Sequence, residues 1–201
     1  MLIIIRYTLS DALAVAVWLN IFVRQARNVG MANIAQSINV LSPLLTTKDG
    51  LVKQTIFYPL YLFSKYMRGQ SLAVHVRCPE YQGSMEKAVS ADGSNFAWLN
   101  GTGDLPLLDV SASVGDAVDD EEPGTYVSLA VVNASDTEKF APAFDIAGGT
   151  KRTKVFTLSG SDPAAMNTSE KTEVGVKERV HDDISQYTLS KSSFTLFRWK
   201  V

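Results

Sequence analysis

The apolar residues of this 201-residue chain follow one spacing up to Gly69 and another from Gln70 onward, so no single repeating unit accommodates both halves. In the first part, Ser10 is predicted to cap a helix, because its hydroxyl can accept a bond from an unpaired backbone N–H of the first turn. Asp11 suits the positive end of the dipole. Leu13, Val17 and Phe22 leave that helix apolar on most sides, which predicts burial, and Trp18 reads as a packing group. Arg24 and Arg27 fall in the last turn, and Asn28 or Gly30 can end it. The run from Met31 to Ser37 then predicts a strand buried on both faces. A polar loop from Thr46 to Gly50 follows, and a second helix begins near Tyr58-Pro59 and stops at Gly69. Helix, strand, loop, helix is a piece of a repeating β/α architecture. A closed eightfold barrel needs roughly 250 residues, so these residues do not make one.

From Gln70 the spacing shortens. Apolar runs at 72–76, 107–112, 126–132, 155–158, 173–177 and 193–199 are separated by Gly, Asp, Pro and Ser clusters. That pattern predicts an antiparallel sandwich. In the last run Phe194, Leu196, Phe197 and Trp199 are set against Thr195 and Arg198, with Trp199 a packing group. The acidic run from Asp119 to Glu122, closed by Pro123-Gly124, reads as a solvated loop.

Composition removes several classes of function. Nineteen basic residues against 21 acidic give a net charge of -2, which attracts no polyanion and argues against nucleic acid. A 46% hydrophobic content with so small a charge excludes disorder. The single cysteine, Cys78, rules out a disulfide framework and a multi-cysteine metal site. Residues 12–23 are apolar but include Asn20 and fall short of the ~20 residues a membrane span requires. Met1 to Ile5 followed by Arg6 reverses the order of a secretory signal. Sequons at Asn100, Asn133 and Asn167 would permit N-glycosylation of a secreted chain, and the compartment stays open.

Residues able to carry chemistry are sparse. His75 and His181 are too far apart in sequence for a ligand set, so no metal is expected. His181, before Asp182-Asp183, reads as a surface ion pair rather than a triad member. Glu80, Glu86, Asp104 and Asp109 read as surface or turn carboxylates. Cys78 follows Arg77 but reads as a passive, half-buried thiol. Trp98, beside Asn100-Gly101, offers a lone candidate platform for a sugar ring.

The stretch Val29-Gly-Met-Ala-Asn-Ile-Ala-Gln-Ser-Ile-Asn-Val-Leu-Ser-Pro-Leu44 carries a resemblance. So do Thr47-Lys-Asp-Gly-Leu-Val-Lys-Gln-Thr55, Phe57-Tyr-Pro-Leu60 and Phe63-Ser-Lys-Tyr-Met-Arg-Gly69. Together they resemble the C-terminal part of α-L-arabinofuranosidases of glycoside hydrolase family fifty-one. Leu108-Asp-Val-Ser-Ala112, Leu129-Ala-Val-Val-Asn133 and Ser193-Phe-Thr-Leu-Phe-Arg-Trp199 fit the same family. The resemblance covers Tyr7 to Val201. It implies an α+β arrangement: the terminal portion of a (β/α)8 barrel in residues 1–69, then a jelly-roll-like antiparallel β-sandwich in residues 70–201. Ser10 to Asn28 would be the seventh barrel helix, Met31 to Ser37 the eighth strand and Tyr58 to Gly69 the eighth helix.

Retaining glycosidases work with two carboxyl groups about 5–5.5 Å apart. The resemblance implies that these stand on the fourth and seventh barrel strands, upstream of Met1, so no catalytic residue is assigned here. It does assign Gln54, whose carboxamide can donate and accept at once, as a hydrogen-bond partner of an arabinofuranosyl ring. The implied substrate is an arabinose-containing polysaccharide or oligosaccharide, cleaved without a cofactor. A homo-oligomeric parent is compatible with the resemblance, and stand-alone activity is not expected. A non-catalytic β-sandwich or carbohydrate-binding module is the competing reading. The uncovered apolar faces of a quarter-barrel predict poor solubility of the isolated chain.

Overall fold

The computed structural model describes residues 6–48, 50–81, 105–146 and 152–201. Its centre is a six-stranded antiparallel sheet. The strands are β3 (Gln70–Leu72), β6 (Leu108–Asp116), β7 (Thr125–Asn133), β8 (Thr153–Ser159), β9 (Gly175–His181) and β10 (Ser193–Lys200). Their spatial order is β3-β6-β7-β10-β8-β9. Two short pairs flank it: β1 (Leu44–Thr47) with β2 (Gly50–Lys53), and β4 (Glu80–Tyr81) with β5 (Leu105–Pro106). Two helices complete the fold, α1 (Leu9–Arg24) and α2 (Phe57–Tyr66).

Side chains alternate across a strand, so β10 sends Phe194 and Leu196 to one face and Phe197 and Trp199 to the other. The first face meets both helices. Leu9, Leu13, Ala16, Leu62, Phe63 and Tyr66 close over Ala130, Val132, Phe156, Leu158, Phe194 and Leu196. The rings of Phe63 and Phe194 stack at 5.6 Å, and those of Tyr66 and Phe156 at 4.7 Å. On the second face, Val110, Leu129, Val131, Val155, Phe197 and Trp199 are covered by Ile184 and Leu189, with Phe140, Phe144 and Tyr187 around them. Phe197 takes edge contacts from Phe144 at 5.3 Å and Tyr187 at 5.0 Å. Among the described residues the sandwich-like arrangement therefore has one extended sheet, with helices on one side and mainly irregular chain on the other. Because both faces are covered, β10 is buried from Ser193 through Trp199, including Thr195 and Arg198, which the alternating pattern had set apart from the apolar positions.

Several local expectations are corrected. The cap of α1 is Thr8, not Ser10: the Thr8 side chain accepts from the Asp11 N–H at 3.3 Å, and the Asp11 carboxylate accepts from the Thr8 N–H at 2.7 Å. Ser10 donates instead to the Pro163 carbonyl. The helix ends at Arg24, short of Asn28, and buries only the stripe Leu9, Ala12, Leu13, Ala16 and Asn20. Trp18 stands on the opposite side, 59% exposed, against Phe22. No strand forms from Met31 to Ser37; that segment is exposed, with Met31 at 79%. A strand buried on both faces needs neighbours to take its N–H and C=O groups. Among the described residues the nearest substitute is one parallel bridge, Ile38 to Leu44. The expected polar loop from Thr46 to Gly50 is largely paired strand: Thr46 and Thr47 end β1 opposite Leu51 and Gly50 of β2. The 72–76 run pairs only through Leu72, and the 173–177 run enters its strand two residues later, at Gly175.

Gly69, between α2 and β3, has the closest backbone contact of the described glycines. Its φ is +94°, and a Cβ there would lie 2.1 Å from the Val114 carbonyl oxygen and 2.8 Å from Gly115 Cα. Backbone cannot yield as a side-chain tip can, and the conformation itself disfavours any L side chain. Gly69→Ala is expected to destabilise by more than ~1 kcal/mol, since a residue with a Cβ held at this φ costs about 1–3 kcal/mol before the clash with Val114 is added, read as a lower urea midpoint. An unchanged midpoint would refute this account of the α2–β3 corner.

Candidate functional site

Gln54 sits between β2 and α2 and is 1% exposed. Its Oε1 accepts from the Tyr7 N–H at 3.1 Å, and its Nε2 donates to the Ser42 carbonyl at 2.7 Å. Its own N–H donates to the Pro43 carbonyl, and its carbonyl accepts from Phe57 N–H. One side chain thus ties the approach to α1, the turn before β1 and the start of α2. Thr55 reinforces the junction by donating to the Thr8 carbonyl at 2.6 Å. Beside it lie two shallow concavities along the β1–β2 hairpin. One, of about 260 Å³, is bordered by Arg6, Asn39, Thr46, Val52, Asn167 and Thr168. The other, of about 250 Å³, is bordered by Thr47, Lys53, Tyr58, Ser169 and Thr172. Burial raises the Tyr58 phenol above its ordinary pKa, against a smaller lowering by its hydrogen bond with Asn167. The first lining is mainly apolar, with Leu45 and Val52 among its hydroxyls and amides, the second is mainly polar, and among the described residues neither includes an aspartate or a glutamate. Such surfaces can hydrogen-bond a polyol, but among the described residues they offer no carboxyl pair for glycoside cleavage.

The other candidates are dispersed. Glu80 is exposed on β4. Asp109, read as a surface carboxylate, is a tether: it pairs with Arg24 at 2.8 Å and accepts from Asn20 Nδ2 at 2.7 Å. Asn20 Oδ1 in turn accepts from Ser111. His75 lies outside any strand and accepts weakly from Arg77. His181 meets the Tyr187 ring edge-on at 5.4 Å, while its neighbour Asp183 bonds Ser185. Cys78 is half-buried with Sγ 4.0 Å from the Leu108 carbonyl. Among the described residues no group of three or more His, Cys, Asp or Glu could hold a metal, and no helix is long and apolar enough to cross a membrane. Glu86, Trp98, Asn100 and Asp104 lie outside the described residues.

Two features escaped the sequence. The acidic run is not a wholly solvated loop, because the Glu121 side chain is turned inward and only 1% exposed. Its carboxylate accepts from Arg198 Nε at 2.8 Å and Nη2 at 2.7 Å, and from the Val118 N–H at 3.0 Å. Arg198 also donates to the Tyr66 and Asp116 carbonyls and to Ser128 Oγ, between the rings of Tyr66 and Tyr126. The second is a pair of buried asparagines, Asn133 and Asn167, whose amides bridge separate chain segments. The only signal for Arg198 was a charge inside a run of buried aromatics. For the asparagines, the sequon pattern pointed to the surface instead.

Comparison with known proteins decides the kinship. A family model described as the α-L-arabinofuranosidase C-terminal domain matches residues 2–196. This chain belongs to that family. A probable α-L-arabinofuranosidase C of Aspergillus clavatus is 50% identical over 195 residues, covering 97% of this chain and 35% of the relative. The α-L-arabinofuranosidase C of Emericella nidulans is 46% identical over the same extent. The chain therefore spans about a third of the length of the curated relatives it matches. The α-L-arabinofuranosidase of Thermotoga maritima, solved in an arabinose complex, superposes with a TM-score of 0.80 at 22% identity. That superposition covers 98% of this chain and 39% of the other, and it establishes the shared fold.

Proposed function

We propose that this chain is the C-terminal part of a retaining α-L-arabinofuranosidase that releases terminal arabinofuranosyl groups from arabinan and arabinoxylan. Residues 1–69 would supply the last quarter of the catalytic barrel, and residues 70–201 the sandwich packed against it. The observation that carries this reading is the 50% identity, over 97% of the chain, to a relative named for that activity. The nucleophile and acid/base carboxyls would come from the remaining length of such a relative. To contact the sugar in the whole enzyme, Gln54 would have to exchange its bonds to the Tyr7 N–H and the Ser42 carbonyl for a ring hydroxyl.

The test is a chimera in which this chain replaces the matching third of the Aspergillus clavatus relative. The chimera is expected to hydrolyse an aryl α-L-arabinofuranoside, and the 201-residue chain alone to show no turnover above a mock preparation. Gln54→Ala in the chimera should lower kcat/KM about five- to tenfold, the weight of one hydrogen bond. Its melting temperature must be read alongside, because Gln54 also holds Tyr7 and Ser42. A chimera that folds without activity, or turnover by the chain alone, would refute the assignment.

A further inference from the structure

The sequons Asn133-Ala-Ser and Asn167-Thr-Ser satisfy the acceptor pattern for N-glycosylation, yet both asparagines are buried, at 0% and 3% exposure. Asn133 Nδ2 donates to the Glu138 carbonyl at 2.9 Å and the Ser190 carbonyl at 2.8 Å, while Oδ1 accepts from Ser135 N–H at 3.0 Å. It thereby holds the end of β7 to the turn after it and to the segment entering β10. Asn167 Nδ2 donates to the Lys53 carbonyl at 3.0 Å and the Val174 carbonyl at 2.8 Å. Its Oδ1 accepts from Glu173 N–H at 3.0 Å and Val174 N–H at 2.9 Å. It fastens the β1–β2 hairpin to the chain leading into β9.

In both residues the amide spends its two hydrogens on two main-chain carbonyls. Transfer from a lipid-linked oligosaccharide forms a bond between Nδ2 and the anomeric carbon, breaks that carbon's bond to the lipid diphosphate and releases one amide proton. One hydrogen then remains for two carbonyls, and a bulky polar group must be attached to side chains that are only 0% and 3% exposed, even though Asn167 borders the first concavity. We infer that this fold excludes a glycan at Asn133 and at Asn167, so that in a glycosylating compartment occupancy of either sequon diverts the chain from folding. The two residues are structural cross-links that carry the sequence of a modification site.

The test is secretion of the full chain from yeast with an Asn-Ala-Thr acceptor appended after Val201, which reports contact with the transferase. Occupancy is mapped by mass spectrometry in soluble and insoluble fractions, with and without tunicamycin. In tag-glycosylated soluble chain, Asn133 and Asn167 are expected to be bare. Glycan at either should be confined to insoluble chain, with tunicamycin raising the soluble share several-fold. Ser169→Ala, which removes the second sequon and leaves Asn167 in place, should reproduce part of that gain. Soluble chain glycosylated at either asparagine would overturn the inference. So would insoluble chain glycosylated there whose soluble share neither treatment changes.

Discussion

Arg198→Ala is expected to destabilise the fold by about 3–5 kcal/mol, the range for removing one partner of a buried ion pair. Arg198 is 2% exposed and the Glu121 side chain 1%, so truncation leaves a carboxylate in the interior with its main counter-ion gone. Lys154 Nζ, at 3.8 Å, is too distant to replace a bidentate guanidinium. The carbonyls of Tyr66 and Asp116 lose a donor in the same step. Urea unfolding measures the effect, and a loss below about 1 kcal/mol would place this pair with ordinary surface bridges. Replacing both partners, as Arg198→Met with Glu121→Leu, should recover part of the loss, because no buried charge then remains. Recovery stays incomplete, since the Asp116 carbonyl loses the Arg198 donor and the Tyr66 carbonyl keeps only Ser128 Oγ.

The pair also sets a pH response. Burial alone would raise the Glu121 pKa, but the hydrogen bonds from Arg198 and the Val118 N–H, with the charges of Arg198 and Lys154, bring it below its usual value. A carboxyl depressed in the folded state binds its proton more tightly when unfolded. Its stabilisation is complete above the unfolded pKa of about 4.3 and is lost as pH falls through the lower folded value. The stability difference between the parent chain and Arg198→Ala should therefore narrow below about pH 4. A difference that stays constant down to acid unfolding would contradict the assigned protonation.

How much of this was legible in the sequence follows from where each determinant lies. β7 and β10 were readable because their runs are dense in residues that suit a covered sheet, and they pair with each other directly, Leu196 opposite Ala130 and Phe197 opposite Leu129. Tyr58-Pro59 and Gly69 bracketed α2 to within three residues, because proline and glycine act through local geometry. Long-range partners were not readable. Glu121 looked like one of four exposed acids, and only a guanidinium 77 residues away draws it inside. The Met31 to Ser37 run shows the reverse failure: its apolar character is real, but strand structure needs neighbours that local composition does not supply. Gln54 was singled out through family kinship, whereas its burial and main-chain ties become visible only in three dimensions.

Phe194→Ala is expected to cost about 3–5 kcal/mol and to do so in one transition for the whole chain. Phe194 is fully buried on the sheet face that receives the helices, and its ring stacks on Phe63 of α2. Truncation leaves a void between α2 and β10, and the two flanking pieces, Phe63 above and Val132 in the paired strand below, cannot close it without moving main chain. Residues 1–69 and 70–201 carry different sequence patterns, but Leu9, Leu62 and Tyr66 of the first part share this core with Ala130, Phe156 and Leu196 of the second. The energetic boundary therefore does not follow the change in pattern at Gln70. Helical ellipticity reports α1 and α2, and with Trp18 and Trp98 replaced by Phe, fluorescence reports Trp199 on the far face of the sheet. At low protein concentration, which limits association through exposed Met31, Ile38 and Leu51, both signals should shift to the same lower midpoint. If the helical signal were lost while fluorescence kept the parental midpoint, the helices would form a separate cooperative unit, and the shared core would not be what binds the two parts together.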